Sequence, residues 1–391
     1  MNFLRRFYEQ QIRQPRAYSL VDIGRDTVKA VVILVQPELP APQIIGYGLA
    51  ETGGRDIASG RLEAAAITSP VNIALTQAED RTAAVIGKKI VPDDVIFAVN
   101  GQATVGKLFT VRQTRSNPAA PISAKELSRL RQQTEQAVRQ GLAELPIEGG
   151  QWQALAVNDA GLRLDGHLVL DGVGLTGREV KLSLFGVAVQ AAVQRALETL
   201  AQRLDLKIVN ILSTAQALTA IVPHSEAIIL DIGVAGTNAC LIRNDALVAT
   251  GWIPFGGGFF TQAIAEKVDL NFSEAKQLKH AFTAGQLTLD EIHYLDDLLD
   301  RVRYRWYQSI RDLLKELSEN KPLPWKIYLT GGGSLLPELD QFLRSDATPF
   351  YRAPEVSRLD YHVGLNLRNL TDGLNNDLFA LALSLTVGLP E

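Results

Sequence analysis

The amino-acid sequence predicts an α/β protein built from two related lobes around a cleft, and three observations carry that expectation. Asp-Ile-Gly closes an apolar run twice, at Asp22–Gly24 and at Asp231–Gly233. A second apolar run follows in both places, Val28–Val35 and Thr237–Ile242, so each copy reads as a buried β-hairpin. A triple glycine, Gly331–Gly333, ends a further strand that starts near Trp325. Copies this far apart imply a duplicated domain, not a solenoid. The 391 residues suffice for two cores.

Residues 1–16 read as a separate short element. Lobe 1 opens at 17 with the first hairpin, continues through a helix over about Ser69–Ile86 and the strand Val95–Val99, and breaks off at 102. The stretch 103–179 changes character and reads as a small α+β insertion. It holds a strand, the Pro-rich connector Asn117–Pro121, a helix opened by the capping pair Ser123 and Glu126, and two alternating strands, Trp152–Val157 and His167–Leu170. The strand Val180–Phe185 is expected to return to lobe 1, which adds a helix over about Ala188–Leu204 and ends at 225. Lobe 2 spans 226–373, with a small helical subdomain at about 265–323 that includes a long helix over Leu289–Leu317. After the triple glycine a helix is expected from Leu335, and an apolar helix within 374–391 should pack back into lobe 1.

Composition narrows the function classes. Apolar residues make up 46% and charged residues 21%, as in an ordinary globular protein. A net charge of -4 gives no electrostatic case for nucleic acid. The single cysteine, Cys240, precludes an internal disulfide and fits a reducing compartment. The five histidines are scattered without metal-ligand spacing. No apolar run reaches the roughly 18–20 residues that cross a bilayer, and the N-terminus has no signal-peptide core.

The chemistry lies in the repeated motif. Each Asp-Ile-Gly sets a carboxylate at the end of a buried strand, just before a tight turn. Glycine lets the turn's amides approach a phosphate, and two such carboxylates, Asp22 and Asp231, can hold a magnesium ion through its waters. Lys29, seven residues after Asp22, can point back toward the phosphates from the return strand. Gly331, Gly332 and Gly333 leave bare backbone on which an adenine can lie and a helix N-terminus free for phosphate.

These three motifs resemble the phosphate-1, phosphate-2 and adenosine motifs of the actin superfamily. Within it the chain resembles the FtsA family of bacterial cell-division proteins over about residues 17–388. The segments that carry the likeness are Asp171–Gly177, Leu212–Leu218, Trp252–Gly257 and Phe272–Lys279, together with the position of the insertion. The pilus-assembly protein PilM shares that arrangement and is the alternative. The resemblance implies an actin-like two-lobed ATPase fold that binds ATP and Mg2+. It places Asp22, Gly24, Thr27, Lys29, Gly233, Gly236 and Thr237 around the phosphates, and Glu274, Lys279 and the three glycines near adenosine. Asp22 and Asp231 would serve the metal, and Gln216 with Asp231 would orient an attacking water; Gln216 reads equally as a helix cap.

Several residues depart from the pattern. Asn238 stands where Asp is common, Arg25 and Asp26 occupy the phosphate-1 turn in place of small hydroxyl residues, and Lys276 replaces an acidic residue. These changes point to slow hydrolysis at most. The implied function is a polymerising scaffold that links the FtsZ division ring to the inner face of the cell membrane. A PilM-like cytoplasmic adaptor of pilus or secretion assembly is the second reading, with another inner-membrane protein as partner. A small-molecule kinase is the third, and the sequence offers it no general base beyond the phosphate-site aspartates.

The family's usual C-terminal membrane helix is not legible before Glu391. Residues 1–14 could replace it: Phe3, Leu4, Phe7, Tyr8 and Ile12 form an apolar stripe beside Arg5, Arg6 and Arg13. The same stripe could instead dock on protein. Arg301, Arg303 and Arg305 read either as a dock for an acidic peptide or as a solvated helix face.

Overall fold

A computed structural model describes residues 14–52, 62–145, 151–350, 352–360 and 364–390. The amphipathic reading of residues 1–14 falls almost wholly outside the described residues.

The first hairpin forms as its pattern requires. Strand β1 (Arg16–Ile23) pairs antiparallel with β2 (Thr27–Val35), which pairs with β3 (Gln43–Glu51). Helix α1 (Ala64–Ile86) starts a turn earlier than the expected Ser69. Strands β4 (Asp94–Val99) and β9 (Lys207–Ser213) extend the sheet in parallel. Together with the short β15 (Arg368–Asn369) they form a six-stranded sheet in the order β15-β3-β2-β1-β4-β9. The chain is thus back in the lobe-1 sheet by Arg368, ahead of the boundary expected at 373.

The insertion is larger than the sequence suggested. Strand β5 (Thr104–Thr114), helix α2 (Ala124–Ala143), β6 (Trp152–Leu164), β7 (His167–Val169) and β8 (Glu179–Gln190) form one unit with a four-stranded sheet, β5-β8-β6-β7. The expectation that Val180–Phe185 rejoins lobe 1 is corrected: β8 pairs along its length with β5 and β6. Its apolar run fits both sites equally, and only the cross-strand partners decide. Parent-domain structure resumes at α3 (Ala191–Arg203), which leads through β9 into α4 (Thr214–Thr219).

Lobe 2 repeats the plan. Strands β10 (Glu226–Ile232), β11 (Thr237–Arg243), β12 (Ala246–Ile253), β13 (Lys326–Thr330) and β14 (Glu355–Arg358) form a sheet in the order β12-β11-β10-β13-β14. Helices α5 (Gly257–Val268), α6 (Phe272–Thr283) and α7 (Leu289–Ser318) cover one face, and share a single apolar cluster with it through Phe260, Trp306 and Ile310. After the triple glycine there is a 3-10 turn over Gly332–Leu335 in place of the expected helix; α8 begins only at Gln341. Pro337 has no amide hydrogen to continue a helix there.

The other faces of the two sheets meet. Leu20, Val31 and Ile33 of lobe 1 share one cluster with Ile229 and Cys240 of lobe 2, filled in by α4 and by α9 (Asn376–Ser384) through Phe379 and Leu383. The C-terminal helix thus packs at the junction of the two sheets.

Candidate functional site

The strand period positions the site. Successive side chains of a strand point to opposite faces. In β1, Leu20 enters the cluster between the lobes, whereas Val21 and Ile23 enter the outer one. Asp22 shares the face of Leu20. Lys29 shares that of Val31 and Ile33, Asp231 that of Ile229, and Asn238 that of Cys240. All four polar side chains thus stand where the apolar layer between the lobes ends.

The two hairpins match residue for residue. Asp22 lies opposite Lys29, and Asp231 lies opposite Asn238. Each tip is closed by the same backbone bond, Gly24 N–H to the Thr27 carbonyl at 2.9 Å and Gly233 N–H to the Gly236 carbonyl at 3.0 Å. Lys29 Nζ donates to Asp22 Oδ2 at 2.8 Å, and Asn238 Nδ2 donates to Asp231 Oδ2 at 2.9 Å. Burial pushes the Asp231 carboxyl up to about 6; the Asn238 amide and the Lys29 charge pull it down, and Asp22 pushes it further up. The Asp22 charge of lobe 1 is thus felt at Asp231 of lobe 2.

The chemistry there fits a hydrated divalent cation. Asn238 Oδ1 is buried with no hydrogen-bond partner, and it lies against Gly101, where a Cβ would come within 1.8 Å of it. A buried carboxamide oxygen without a donor, next to a carboxylate that burial disfavours, is satisfied by a cation and its waters. Asp22 and Asp231 would hold Mg2+ through water, with Asn238 as a neutral oxygen. Among the described residues no three His, Cys or acidic side chains converge as a complete metal cage. Mg2+ is commonly bound by one or two carboxylates plus phosphate and water.

The triple glycine packs on the end of β10, with Thr330 in register with Asp231. Gly331 has φ of 81°, and a Cβ there would lie 2.6 Å from Asp231 Oδ1. A Cβ on Gly333 would meet Ile232 at 2.4 Å, while one on Gly332 would meet nothing within 4 Å. Gly332 is therefore the glycine that faces open space. Lys279 lies beside this turn and donates to the Gly257 carbonyl and to Thr261 Oγ1, both at 2.7 Å. Burial lowers its ammonium to about 8, with Asp26 opposing that shift and Lys276 adding to it.

Other residues of the expected set make contacts of their own within the fold. Gln216 Oε1 accepts from Ser213 N–H and Oγ–H in a capping box at the start of α4, so the capping reading of this residue is the one observed. Glu274 caps α6 with Asn271 and is exposed. The Thr237 hydroxyl is fully buried, donates to the Phe255 carbonyl at 2.6 Å and accepts from Trp306 Nε1 at 3.0 Å. Gly236 has no room for a Cβ because Ile253 O and the Trp252 ring press on it. Gly24 is held at the Thr27 carbonyl, and Gly233 is open except toward Gly236. Arg303 does not form a basic surface with Arg301 and Arg305: it is 1% exposed and bonded to Asp296 at 2.6 Å. Residues two apart on a helix point in different directions.

Gly101 gave no signal in the sequence, because nothing local tells of the Asn238 side chain against it. Asp26 and Lys276 were each visible as a departure; their contact, at 3.0 Å across the cleft, was not.

No protein-family model and no curated protein matches the chain. Solved structures do. The chain superposes on the structure described as "PilM-PilN type IV pilus biogenesis complex" with a TM-score of 0.67 and 19% identity, over 97% of this chain and 100% of that one. It superposes on diol dehydratase-reactivating factor in nucleotide-free form with a TM-score of 0.53 and 12% identity, over 95% and 99%. A weaker likeness is to MreB 5 of Spiroplasma citri bound to AMPPNP, with a TM-score of 0.45 and 12% identity, over 95% of each chain. The chain has the actin-like ATPase fold. The actin-like plan accounts for the duplicated hairpins, the cleft and the glycine turn together. Among the described residues no helix is long and apolar enough to cross a membrane.

Proposed function

We propose that this actin-like chain binds Mg·ATP between its lobes and acts as a cytoplasmic adaptor on the inner face of the cell membrane, holding a protein of a pilus or secretion assembly. The observation that carries the reading is the match to the PilM–PilN structure over nearly all of both chains, which leaves no large part of either without a counterpart. The nucleotide part rests on the paired aspartates, Lys29 and the open backbone at Gly332. With Gln216 engaged in its helix cap, the residue expected to orient a water is already bonded, and turnover should be slow.

A polymerising scaffold for the FtsZ ring is the second reading, favoured by the FtsA-like segments Trp252–Gly257 and Phe272–Lys279. Residues 1–14 could tether either one to the membrane. The deciding experiment is cross-linking and co-purification from native membranes, with pelleting on purified FtsZ filaments in parallel. The adaptor reading expects a stoichiometric inner-membrane partner and no FtsZ-dependent pelleting. Saturable pelleting with FtsZ would replace it by the second reading.

A further inference from the structure

Asp26 and Lys276 lie inside the nucleotide site and serve none of the roles described above. Asp26 is the second residue of the lobe-1 hairpin tip, at the place where lobe 2 carries Ala235. Lys276 lies on α6, one turn before Lys279 and on the same side of the helix. Its Nζ is 3.0 Å from Asp26 Oδ2, and the two side chains are 25% and 21% exposed. This contact runs from the phosphate-binding tip of one lobe to the adenosine side of the other.

Charge makes the arrangement informative. An aspartate on a tip whose amides face phosphate repels a polyphosphate unless a cation neutralises it. Lys279 donates to two neutral oxygens of its own lobe, whereas Lys276 holds an anion of the opposite lobe. An ammonium that reaches the phosphate-1 tip is already where a triphosphate would lie. We propose that Lys276 is a phosphate-binding residue that Asp26 occupies when no nucleotide is bound, and that an incoming nucleoside triphosphate displaces Asp26 from it. The exchange is one anion for another at one ammonium, and it releases the tip of lobe 1 from α6. The inference rests on the ATP-site reading above. A partly exposed pair of this kind shifts an equilibrium by about five-fold or less, so a triphosphate can outcompete it.

The test is calorimetric titration of the full chain with ATP and Mg2+ at low ionic strength. The variants are Asp26→Asn, Lys276→Gln, the double substitution, and the charge swap Asp26→Lys/Lys276→Asp. Removing the competitor should tighten ATP binding in Asp26→Asn by about three- to five-fold. Lys276→Gln should weaken it most, because Asp26 then stands uncompensated, and the double variant should bind more tightly than Lys276→Gln but less tightly than Asp26→Asn. The charge swap restores the ion pair and should keep a wild-type Tm, which controls for folding. ATP binding gained only on Asp26→Asn also supports the proposal. Equal tightening in both single variants would mean a clasp with no phosphate contact and would overturn it, as would wild-type affinity in Asp26→Asn. If no variant binds ATP although all retain native Tm, the ATP-site reading fails and this inference fails with it.

Discussion

Asn238 donates to Asp231 at 2.9 Å from the cross-strand position that Lys29 holds opposite Asp22. One hairpin therefore pairs its aspartate with a full charge, the other with a neutral amide. The amide leaves Asp231 as a buried acid whose ionised form costs folding energy.

The sign of that cost is testable. The Asp231 carboxyl is raised from 3.8 to about 6 in the folded chain. Its contribution to stability is greatest below about pH 4 and is lost as pH rises through 6. In the absence of nucleotide and Mg2+, Asp231→Asn should raise stability at pH 7.5 by on the order of 2 kcal/mol and change little at pH 4. The same substitution should abolish any Mg2+ dependence of ATP binding. Urea melts at the two pH values and calorimetry with and without Mg2+ check both outcomes.

The glycine turn separates folding from binding. Gly331→Ala forces an alanine into a left-handed backbone at 81° and against Asp231, and should cost about 1–3 kcal/mol of stability. Gly332→Ala meets no atom within 4 Å, so its Tm should stay at the wild-type value. Its methyl projects where the nucleotide would lie, and ATP affinity should drop by about ten-fold, the scale of a misfit methyl in a close-packed site. Thermal melts and calorimetry on the same samples distinguish the pair.

Gln216 should behave as a structural residue. Gln216→Ala removes the acceptor for Ser213 and should cost about 0.5–2 kcal/mol. Gln216→Glu keeps the oxygen and the capping box. If the cap is its whole role, any ATP turnover is the same in Gln216→Glu as in wild type. A drop of about a hundred-fold or more in that variant, with Tm intact, would restore the water-orienting role.

The insertion should not be separable from the rest. At Gly106 of β5 a Cβ would meet Phe185 at 2.4 Å and Thr250 of lobe 2 at 2.8 Å, and Phe185 and Val187 belong to the cluster between the lobes. Replacing 104–190 by a short linker should therefore yield insoluble or molten chain. A cooperative melt with native secondary structure would show that the lobes close without it.

Much of this was legible in the sequence, for local reasons. Asp22 and Asp231 each end an apolar strand with a turn glycine, and period-two patterning alone assigns each of them a face of its sheet. Helix α7 was readable almost to the residue because Thr288 and Glu291 form a capping box. What stayed hidden depends on partners far apart in the chain. Strand β8 looks like any buried strand, and its sheet is decided by β5 and β6. Thr237 has the residue type of a phosphate ligand, and Trp306, 69 residues away, takes its hydroxyl. Arg303 sits among exposed arginines in sequence, and only the rotation of α7 buries it.

The hairpin tips carry one last implication. Gly24 pairs with Thr27 and Gly233 with Gly236, so both tips are two-residue loops, Arg25-Asp26 and Val234-Ala235. Their compositions share nothing, yet their lengths are equal. Adding or deleting a single residue in either loop would slip the return strand by one position and turn Lys29 or Asn238 to the opposite face of its sheet. The identity of these loop residues can thus vary without moving the strands. A change in their count would turn one of the two polar partners out of the cleft.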